Sequence, residues 1–177
     1  MKISSGSLAG RSIAQPKTEK TRPVSEKTRH AIFQTLGDIE GLAILDLFAG
    51  SGALGLESLS LGARSCIFVD SAKIAVDTIR HNLRDLGLDK RAEVVAKKAE
   101  TFLLTNVVKF DLVFYDPPYA EFAAEKLQAV SWQLKPNGII VVSCSSKTEL
   151  PETIAGLELV KQKIYGDTQI AYFRFAN

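Results

Sequence analysis

The sequence predicts one α/β domain with a mostly parallel sheet of seven strands, closed by an antiparallel hairpin at its C-terminal end. Three observations support this prediction. Short apolar runs alternate with helical segments over residues 42–144, which indicates a parallel sheet covered on both faces. A glycine-rich turn joins the first run to its helix. The last two apolar runs are separated only by the turn Tyr165-Gly166-Asp167, which favours a hairpin.

The chain begins with a short arm before the first predicted helix. Residues 2–14 are punctuated by serine and glycine and alternate weakly, which predicts a hairpin or an extended arm. Residues 15–23 form a polar linker with two prolines. Ser25 is predicted to cap a helix over residues 26–36. The predicted organisation is a basic arm over residues 1–23 and one globular domain over residues 24–177.

Alternating strands and helices account for most of the globular domain. The predicted parallel strands cover residues 42–47, 65–70, 91–96, 111–115 and 138–144. The predicted helices after the first four strands cover residues 53–62, 72–86, 100–105 and 120–133. The hairpin strands cover residues 157–164 and 169–175. This order matches a Rossmann-like methyltransferase sheet better than an all-parallel dinucleotide-binding fold.

Length and composition limit the classes of protein to which the chain can belong. Its 177 residues are 46% hydrophobic and 24% charged, which suits one domain and leaves no room for a two-domain dehydrogenase. No apolar run approaches the ~20 residues of a membrane span, and the N-terminus has no apolar signal region. Cys66 and Cys144 lie too far apart in sequence to indicate a disulfide framework or a metal site. We therefore expect a cytoplasmic protein that binds no metal.

The positive charge is concentrated at the N-terminus. The net charge is +2, but residues 1–30 hold seven basic and two acidic residues, whereas the rest of the chain is acidic overall. This asymmetry predicts a polyanionic partner that meets one end of the molecule, with a solvated terminal segment as the alternative. The candidate contacts are Arg11, Lys17, Lys20, Arg22, Lys27 and Arg29.

The turn Gly50-Ser51-Gly52-Ala53-Leu54-Gly55 has the spacing G-x-G-x-x-G between a predicted strand and a predicted helix. This context predicts a nucleoside-cofactor site, because glycines let a ligand approach the main chain. Asp70 ends the next strand and can accept hydrogen bonds from both hydroxyls of a ribose. Asp46, four positions before Gly50, suits an ammonium group and would repel a pyrophosphate. The pattern therefore favours S-adenosylmethionine over NAD as the cofactor.

The turn Asp116-Pro117-Pro118-Tyr119 follows the fourth predicted strand. The first and fourth strands should be neighbours where the strand order reverses, so Asp116 is expected near the cofactor. The exocyclic amine of a nucleobase is a poor nucleophile. The Asp116 carboxylate and the Pro117 carbonyl oxygen can orient it by accepting one hydrogen bond each from its two N–H groups. The proline pair makes the turn stiff, and Tyr119 can stack on a base extruded from a helix. The turn thus predicts an amino-methyltransferase.

Together these segments resemble a known family. The stretch from Asp46 to Glu57, the triplet Phe68-Val69-Asp70 and the D-P-P-Y turn are similar to those of the bacterial 16S ribosomal RNA guanine-N2 methyltransferases. Gly10-Arg11 and Arg22-Pro23-Val24-Ser25 resemble the basic arm of that family. The resemblance covers nearly the whole chain. It implies a Rossmann-like class I methyltransferase that uses S-adenosylmethionine to methylate one guanine amine of 16S rRNA.

The resemblance also implies roles for individual residues. The methionine end of the cofactor would be lined by Asp46, Phe48, Gly50, Ser51, Gly52 and Ala53. Asp70 would hold the ribose, and Ala99 would contact the adenine. The guanine would be held by Asp116, Pro117, Pro118 and Tyr119. The basic arm would bind phosphates of 16S rRNA in the small ribosomal subunit or its assembly intermediate, with the enzyme acting as a monomer.

Two residues depart from the family pattern. Val24 replaces the threonine that usually follows Arg-Pro. Lys98 stands where an Asp or Asn commonly accepts a hydrogen bond from the adenine amino group, and a lysine has no acceptor. Adenine recognition is then left to the backbone near Ala99 or to Glu100.

Two other functions stay open at this stage. The same D-P-P-Y turn could hold the amine of an adenine, which would make the protein an adenine-N6 methyltransferase acting on DNA or RNA. The basic arm would also suit an RNA-binding ribosome-assembly factor whose catalysis is secondary.

Overall fold

The computed structural model describes residues 1–16 and 24–176. The strands in these residues are β1 (Ala43–Leu47), β2 (Ser65–Asp70), β3 (Ala92–Ala96), β4 (Phe110–Tyr115), β5 (Leu134–Ser145), β6 (Thr153–Ile154), β7 (Leu157–Tyr165) and β8 (Thr168–Phe175). The α-helices are α1 (Glu26–Leu36), α2 (Ala53–Ser60), α3 (Lys73–Leu86), α4 (Ala99–Thr105) and α5 (Leu127–Ser131).

All these strands belong to one sheet, in the order β3-β2-β1-β4-β5-β8-β7-β6. The strands β1 to β5 pair in parallel, whereas β8 lies antiparallel between β5 and β7. The predicted fold class, a mostly parallel sheet closed by an antiparallel C-terminal hairpin, is therefore confirmed. The sheet has one strand more than predicted, because the two-residue strand β6 pairs with the outer edge of β7.

The segment after β4 differs from its prediction. The sequence predicts a helix over residues 120–133, whereas the structure has two 3₁₀ turns, Tyr119–Glu121 and Ala124–Lys126, before the short helix α5. Phe122 lies between the turns in an extended conformation, and its ring packs against that of Tyr115. The helix prediction was wrong because packing of this aromatic side chain overrides the helical propensity of the segment.

Two apolar layers cover the two faces of the sheet. The helices α1, α2 and α3 pack on one face, where Ile44 and Phe114 are buried. The helices α4 and α5 pack on the other face, where Leu45 and Val113 are buried. Because successive residues of a strand point to opposite faces, β1 and β4 are apolar on both sides. Their carboxyl ends lie at the same edge of the sheet, and this edge carries the polar residues of the candidate site.

Residues 1–16 pack against the globular body. An antiparallel bridge joins Lys2 to Ser12, and Ile3 and Ile13 are buried in the same apolar layer as α1, α2 and α3. The backbone N–H of Ser7 donates to the carbonyl oxygen of Ser60 at 2.9 Å. This part of the predicted arm is therefore anchored to α2.

A buried ion pair joins α1, α2 and the N-terminal residues. Arg29 Nε donates to Glu57 Oε2 at 3.0 Å, and both side chains are completely buried. Glu57 also accepts hydrogen bonds from the backbone N–H and the hydroxyl of Ser4, and Arg29 donates to the carbonyl oxygen of Lys2. The prediction that Arg29 binds RNA was wrong, because its guanidinium is enclosed in the protein interior and bonded to these groups.

We expect Glu57→Ala to destabilise the protein by about 3–5 kcal/mol, because the Arg29 guanidinium would stay buried without its partner. Urea unfolding followed by circular dichroism measures this loss. Lys73→Ala is the matched control, since it removes an exposed ion pair with Asp77 and should leave the unfolding midpoint unchanged. An unchanged midpoint for Glu57→Ala itself would contradict the structural role of the pair.

Candidate active site

Three carboxylates meet at the carboxyl edge of the sheet. Asp46 is the fourth residue of the five-residue strand β1, Asp70 ends β2, and Asp116 directly follows β4. The strands β2, β1 and β4 are consecutive in the sheet, with Leu47 of β1 aligned with both Val69 and Tyr115. The sequence therefore identified three side chains that the strand order brings together.

The glycine turn has the backbone that its sequence requires. Phe48, Gly50 and Gly52 all have positive φ angles, of 60°, 56° and 77°. Glycine is required at position 55 for a different reason. A Cβ there would come within 2.2 Å of the Phe68 ring and 2.7 Å of the Cys66 sulfur. The first two glycines therefore shape the loop, whereas Gly55 lets α2 lie directly on the sheet.

Asp70 joins the glycine turn to the loop after β2. Its Oδ2 accepts a hydrogen bond from the backbone N–H of Gly50 at 2.8 Å, and its Oδ1 accepts one from the N–H of Ala72 at 2.8 Å. A carboxylate oxygen has more than one lone pair, so both oxygens can accept a further hydrogen bond from a ligand hydroxyl. The residue is thus fixed in place at the edge where the predicted ribose would lie.

Asp46 is the most deeply buried of the three acids, with 2% of its surface exposed. Its Oδ2 accepts the backbone N–H of Gly55 at 3.0 Å. Burial raises the pKa of Asp46 well above its usual range, the Gly55 hydrogen bond opposes this rise, and the carboxylates of Asp116 and Asp70 add to it. A cationic group bound at this edge would stabilise the ionised form of these carboxylates electrostatically.

Asp116 is half-buried beside β5. Burial raises the pKa of Asp116 to about 6, against the opposing effect of a hydrogen bond from the Ser143 hydroxyl. Ser143 lies in β5, which neighbours β4 in the sheet. Sequence reasoning missed Ser143, because no motif contains it; only the strand order places the end of β5 next to Asp116.

The D-P-P-Y turn borders a cavity of about 200 Å³. Pro117 is buried and Pro118 is exposed, and Tyr119 begins the first 3₁₀ turn. The hydroxyl groups of Tyr119 and Thr168 are hydrogen-bonded, which links the turn to the start of β8. The cavity is lined by Val24, Ser25, Thr28, Asp116, Tyr119 and Thr168, among others. The start of α1 and the β7–β8 turn were not foreseen as walls of the site.

The remaining predicted cofactor residues also lie near this edge. Ser51 and Ala53 are buried in the glycine turn and the first turn of α2. The carbonyl oxygen of Ser51 accepts a hydrogen bond from the Asn82 side chain at 3.1 Å. Ala99 is the first residue of α4, which follows β3, and it is 5% exposed.

The basic residues predicted to contact RNA differ in their surroundings. Arg11 is exposed and donates a hydrogen bond to the carbonyl oxygen of Asp85 at 3.0 Å. Lys27 is exposed in the first turn of α1. The predictions for Lys17, Lys20 and Arg22 fall outside the described residues.

A protein-family profile described as conserved hypothetical protein 95 matches residues 1–174 of the chain. The chain belongs to this family. The sequence of "Putative rRNA methyltransferase YlbH" from Bacillus subtilis is 39% identical over 184 aligned residues, which cover 98% of each chain.

Two further similarities extend over nearly the whole chain. Ribosomal RNA small subunit methyltransferase D of Escherichia coli is 31% identical, with 97% of this chain and 87% of that protein aligned. The solved structure of "Putative methyltransferase yhhF" from Escherichia coli superposes with a TM-score of 0.86 at 28% identity, covering 100% of this chain and 99% of the other. The resemblance to small-subunit rRNA methyltransferases is thereby confirmed, although these names specify no base.

Two properties of the described residues complete the description of this family member. None of their helices combines the length and the apolar character needed to cross a membrane. Over residues 1–16 and 24–176, no group of three or more His, Cys, Asp and Glu side chains is placed to hold a metal ion.

We expect the Asp46 carboxylate to lower the stability of the ligand-free protein as the pH rises. The folded state retains a proton on Asp46 at pH values where the unfolded chain has lost it, so the free energy of unfolding falls from about pH 4 up to the raised pKa. Asp46→Asn should therefore show a flatter stability profile in urea titrations between about pH 4 and pH 8.

Asp77→Asn is the matched control for this measurement. Asp77 is exposed and paired with Lys73, which lowers its pKa, so its replacement should not flatten the profile. If Asp46→Asn and the wild type lost stability equally over this pH range, the burial cost assigned to Asp46 would be wrong.

Proposed function

We propose that the protein is an S-adenosylmethionine-dependent rRNA methyltransferase that methylates the exocyclic N2 amine of a guanine in 16S rRNA of the small ribosomal subunit. The observation that carries this proposal is the position of Asp116, which belongs both to the acidic sheet edge and to the cavity behind the D-P-P-Y turn. A methyl donor and an amine held on the two sides of this residue would meet there. The small-subunit rRNA methyltransferases among the relatives support the choice of substrate.

The residues at the sheet edge fit the proposed cofactor. S-adenosylmethionine carries a sulfonium and an ammonium group, and it supplies an activated methyl group when bound. Asp46 is a buried carboxylate suited to the ammonium group, and Asp70 presents two oxygens to the ribose hydroxyls. The main chain at Gly50 is open for close approach, since a Cβ there would meet no atom nearer than 4.0 Å. Phe48 would lie at the methionine end of the cofactor, and Ala99 would contact the adenine.

Asp116 and the Pro117 carbonyl would orient the guanine amine. Each can accept one of the two amine hydrogens, which fixes the nitrogen lone pair toward the methyl group. Asp116 has a pKa of about 6, so it is mostly ionised near neutral pH and available as an acceptor. The carboxylate stabilises the positive charge that develops on nitrogen, and it can take the proton that the methylated amine releases.

The cavity behind the turn would receive the extruded guanine. Tyr119 forms one wall, and its hydroxyl is anchored to Thr168, so the ring is positioned before a base arrives. A ring held in this way can stack on the base with little loss of side-chain freedom. Val24, Ser25 and Thr28 form the opposite wall, so α1 would shape the pocket as well as support the fold.

The substrate RNA would approach along the N-terminal residues and α1. The start of α1 lines the cavity, the N-terminal residues pack against α1 and α2, and the exposed Arg11 and Lys27 can bind phosphates. The acidic surplus of the remaining chain would disfavour binding elsewhere.

Nucleoside mass spectrometry tests the proposed function. The protein is incubated with S-adenosylmethionine and unmodified small ribosomal subunits, with deproteinised 16S rRNA in parallel. We expect N2-methylguanosine, and Asp116→Ala should reduce its rate of formation by about 100-fold or more while leaving RNA affinity nearly unchanged. N6-methyladenosine would instead identify an adenine-N6 methyltransferase. For a ribosome-assembly factor whose catalysis is secondary, the Asp116→Ala variant would retain full cellular function.

Two variants of Tyr119 distinguish stacking of its ring on the base from the hydrogen bond of its hydroxyl to Thr168. We expect Tyr119→Ala to lower kcat/KM for the RNA by about 5- to 100-fold, because base–aromatic stacking contributes about 1–3 kcal/mol. Tyr119→Phe keeps the ring and loses only the hydrogen bond to Thr168, so it should retain most of the activity. Equal rates for Tyr119→Ala and the wild type would show that no base stacks on this ring.

The N-terminal contacts can be counted from the salt dependence of RNA binding. We expect the double variant Arg11→Ala/Lys27→Ala to lower the slope of log K against log salt by about one unit for each lost phosphate contact. Lys135→Ala is the control, because Lys135 lies at the start of β5 and pairs with Asp111. A wild-type slope in the double variant would exclude this surface as the RNA contact.

A further inference from the structure

Tyr115 holds a polar group that the fold does not use. Its side chain is buried at the end of β4, with 1% of its surface exposed. Its hydroxyl group is buried and has no hydrogen-bond partner among residues 1–16 and 24–176. Buried polar groups are nearly always hydrogen-bonded. The Tyr172 hydroxyl is orphaned among the described residues as well, but Tyr172 lies in the middle of β8, whereas Tyr115 ends β4 beside the acidic edge, where a ligand could supply the partner.

The hydroxyl lies between segments that the proposed function assigns to the cofactor. The Tyr115 ring packs edge-on against Phe48, with centroids 5.7 Å apart, and it is tilted against Phe122 at 6.2 Å. Ala99 belongs to the same apolar cluster. Ala99, expected to contact the adenine, and Phe48, expected at the methionine end of the cofactor, therefore both pack in the cluster that contains the orphaned hydroxyl.

The surroundings keep the Tyr115 hydroxyl neutral. Burial raises the pKa of Tyr115 to about 12, and the carboxylates of Glu100 and Glu121 contribute to the rise. Glu100 is itself paired with Lys126 at 3.1 Å, and Lys126 also donates to the carbonyl oxygen of Glu121. A neutral phenol keeps an acceptor lone pair, which an incoming N–H donor can use.

The residue at the position that the family pattern assigns to the adenine cannot accept a hydrogen bond from its amino group. Lys98 occupies the position where an Asp or Asn commonly accepts from the adenine amino group. Lys98 is exposed immediately before α4, and an ammonium group has no acceptor. The adenine site of this chain therefore lacks a side-chain acceptor at position 98, and the carboxylate of the neighbouring Glu100 is already paired with Lys126.

We propose that the Tyr115 hydroxyl accepts a hydrogen bond from the 6-amino group of the cofactor's adenine, beside Phe48, Ala99 and Phe122. The inference rests on the proposed cofactor and is independent of the RNA base that is methylated. The hydroxyl is enclosed in the ligand-free protein, and Phe122, whose ring contacts that of Tyr115, is an extended residue between two short turns, so its ring can shift without unfolding a helix. Tyr115 thereby replaces the missing acidic or amide side chain at position 98.

A binding cycle with two ligands tests the assignment. Calorimetry compares S-adenosylhomocysteine with the analogue whose purine lacks the 6-amino group. We expect the wild type to bind S-adenosylhomocysteine about 3- to 10-fold more tightly than the analogue, and Tyr115→Phe to bind the two ligands nearly equally. Tyr172→Phe is the control, because this buried tyrosine lies on the other face of the sheet and its replacement should leave the preference intact.

A rescue variant distinguishes a lost hydrogen bond from a damaged fold. Adding Lys98→Asp to Tyr115→Phe supplies an acceptor at the family position and should restore the preference for the 6-amino group. Equal affinity of the wild type for both ligands would overturn the proposal, and so would an unchanged preference in Tyr115→Phe. No binding of S-adenosylhomocysteine to the wild type would overturn the cofactor assignment itself, which separates the two failures.

Discussion

The site depends on the gathering of three carboxylates at one edge of a parallel sheet. Strand order fixes this arrangement, because Asp46, Asp70 and Asp116 stand at the ends of three consecutive strands. Burial is the main reason why the pKa of Asp46 is raised, and the neighbouring carboxylates of Asp116 and Asp70 add to the rise. Backbone N–H groups of Gly50, Ala72 and Gly55 hold two of the acids in place without neutralising them. The edge is therefore prepared for a ligand that brings positive charge.

The buried acids of this protein serve two different purposes. Glu57 is completely buried but paired with Arg29, and the pair joins α1 and α2 to the N-terminal residues. Over residues 1–16 and 24–176, by contrast, no basic side chain forms an ion pair with Asp46. A charge neutralised within the protein supports the fold, whereas a charge left for a ligand supports binding. The ion pair also serves the site indirectly, because α1 forms a wall of the proposed base pocket.

The parts of the fold that follow from local pattern were predictable from the sequence. The strand over residues 65–70 and the helix over residues 26–36 occur as predicted, because hydrophobic periodicity and the Ser25 cap define them locally. The three acids were predictable because each lies at or next to the carboxyl end of a recognisable strand. Arg29 and Tyr115 were not, since burial and the lack of a partner depend on which elements pack together. The contribution of the β7–β8 turn to the cavity wall was also not predictable, because the cavity is formed by segments that are remote in sequence.

The pH dependence of cofactor binding tests the central claim about the acidic edge most directly. Calorimetry in buffers of different ionisation enthalpy would compare S-adenosylmethionine, which carries a sulfonium, with S-adenosylhomocysteine, which lacks it. The account predicts that binding of S-adenosylmethionine releases protons and strengthens as the pH rises through about 6, more steeply than binding of the neutral thioether, because the cation favours the ionised carboxylates. Equal pH dependence of the two ligands, with no proton release, would contradict the account.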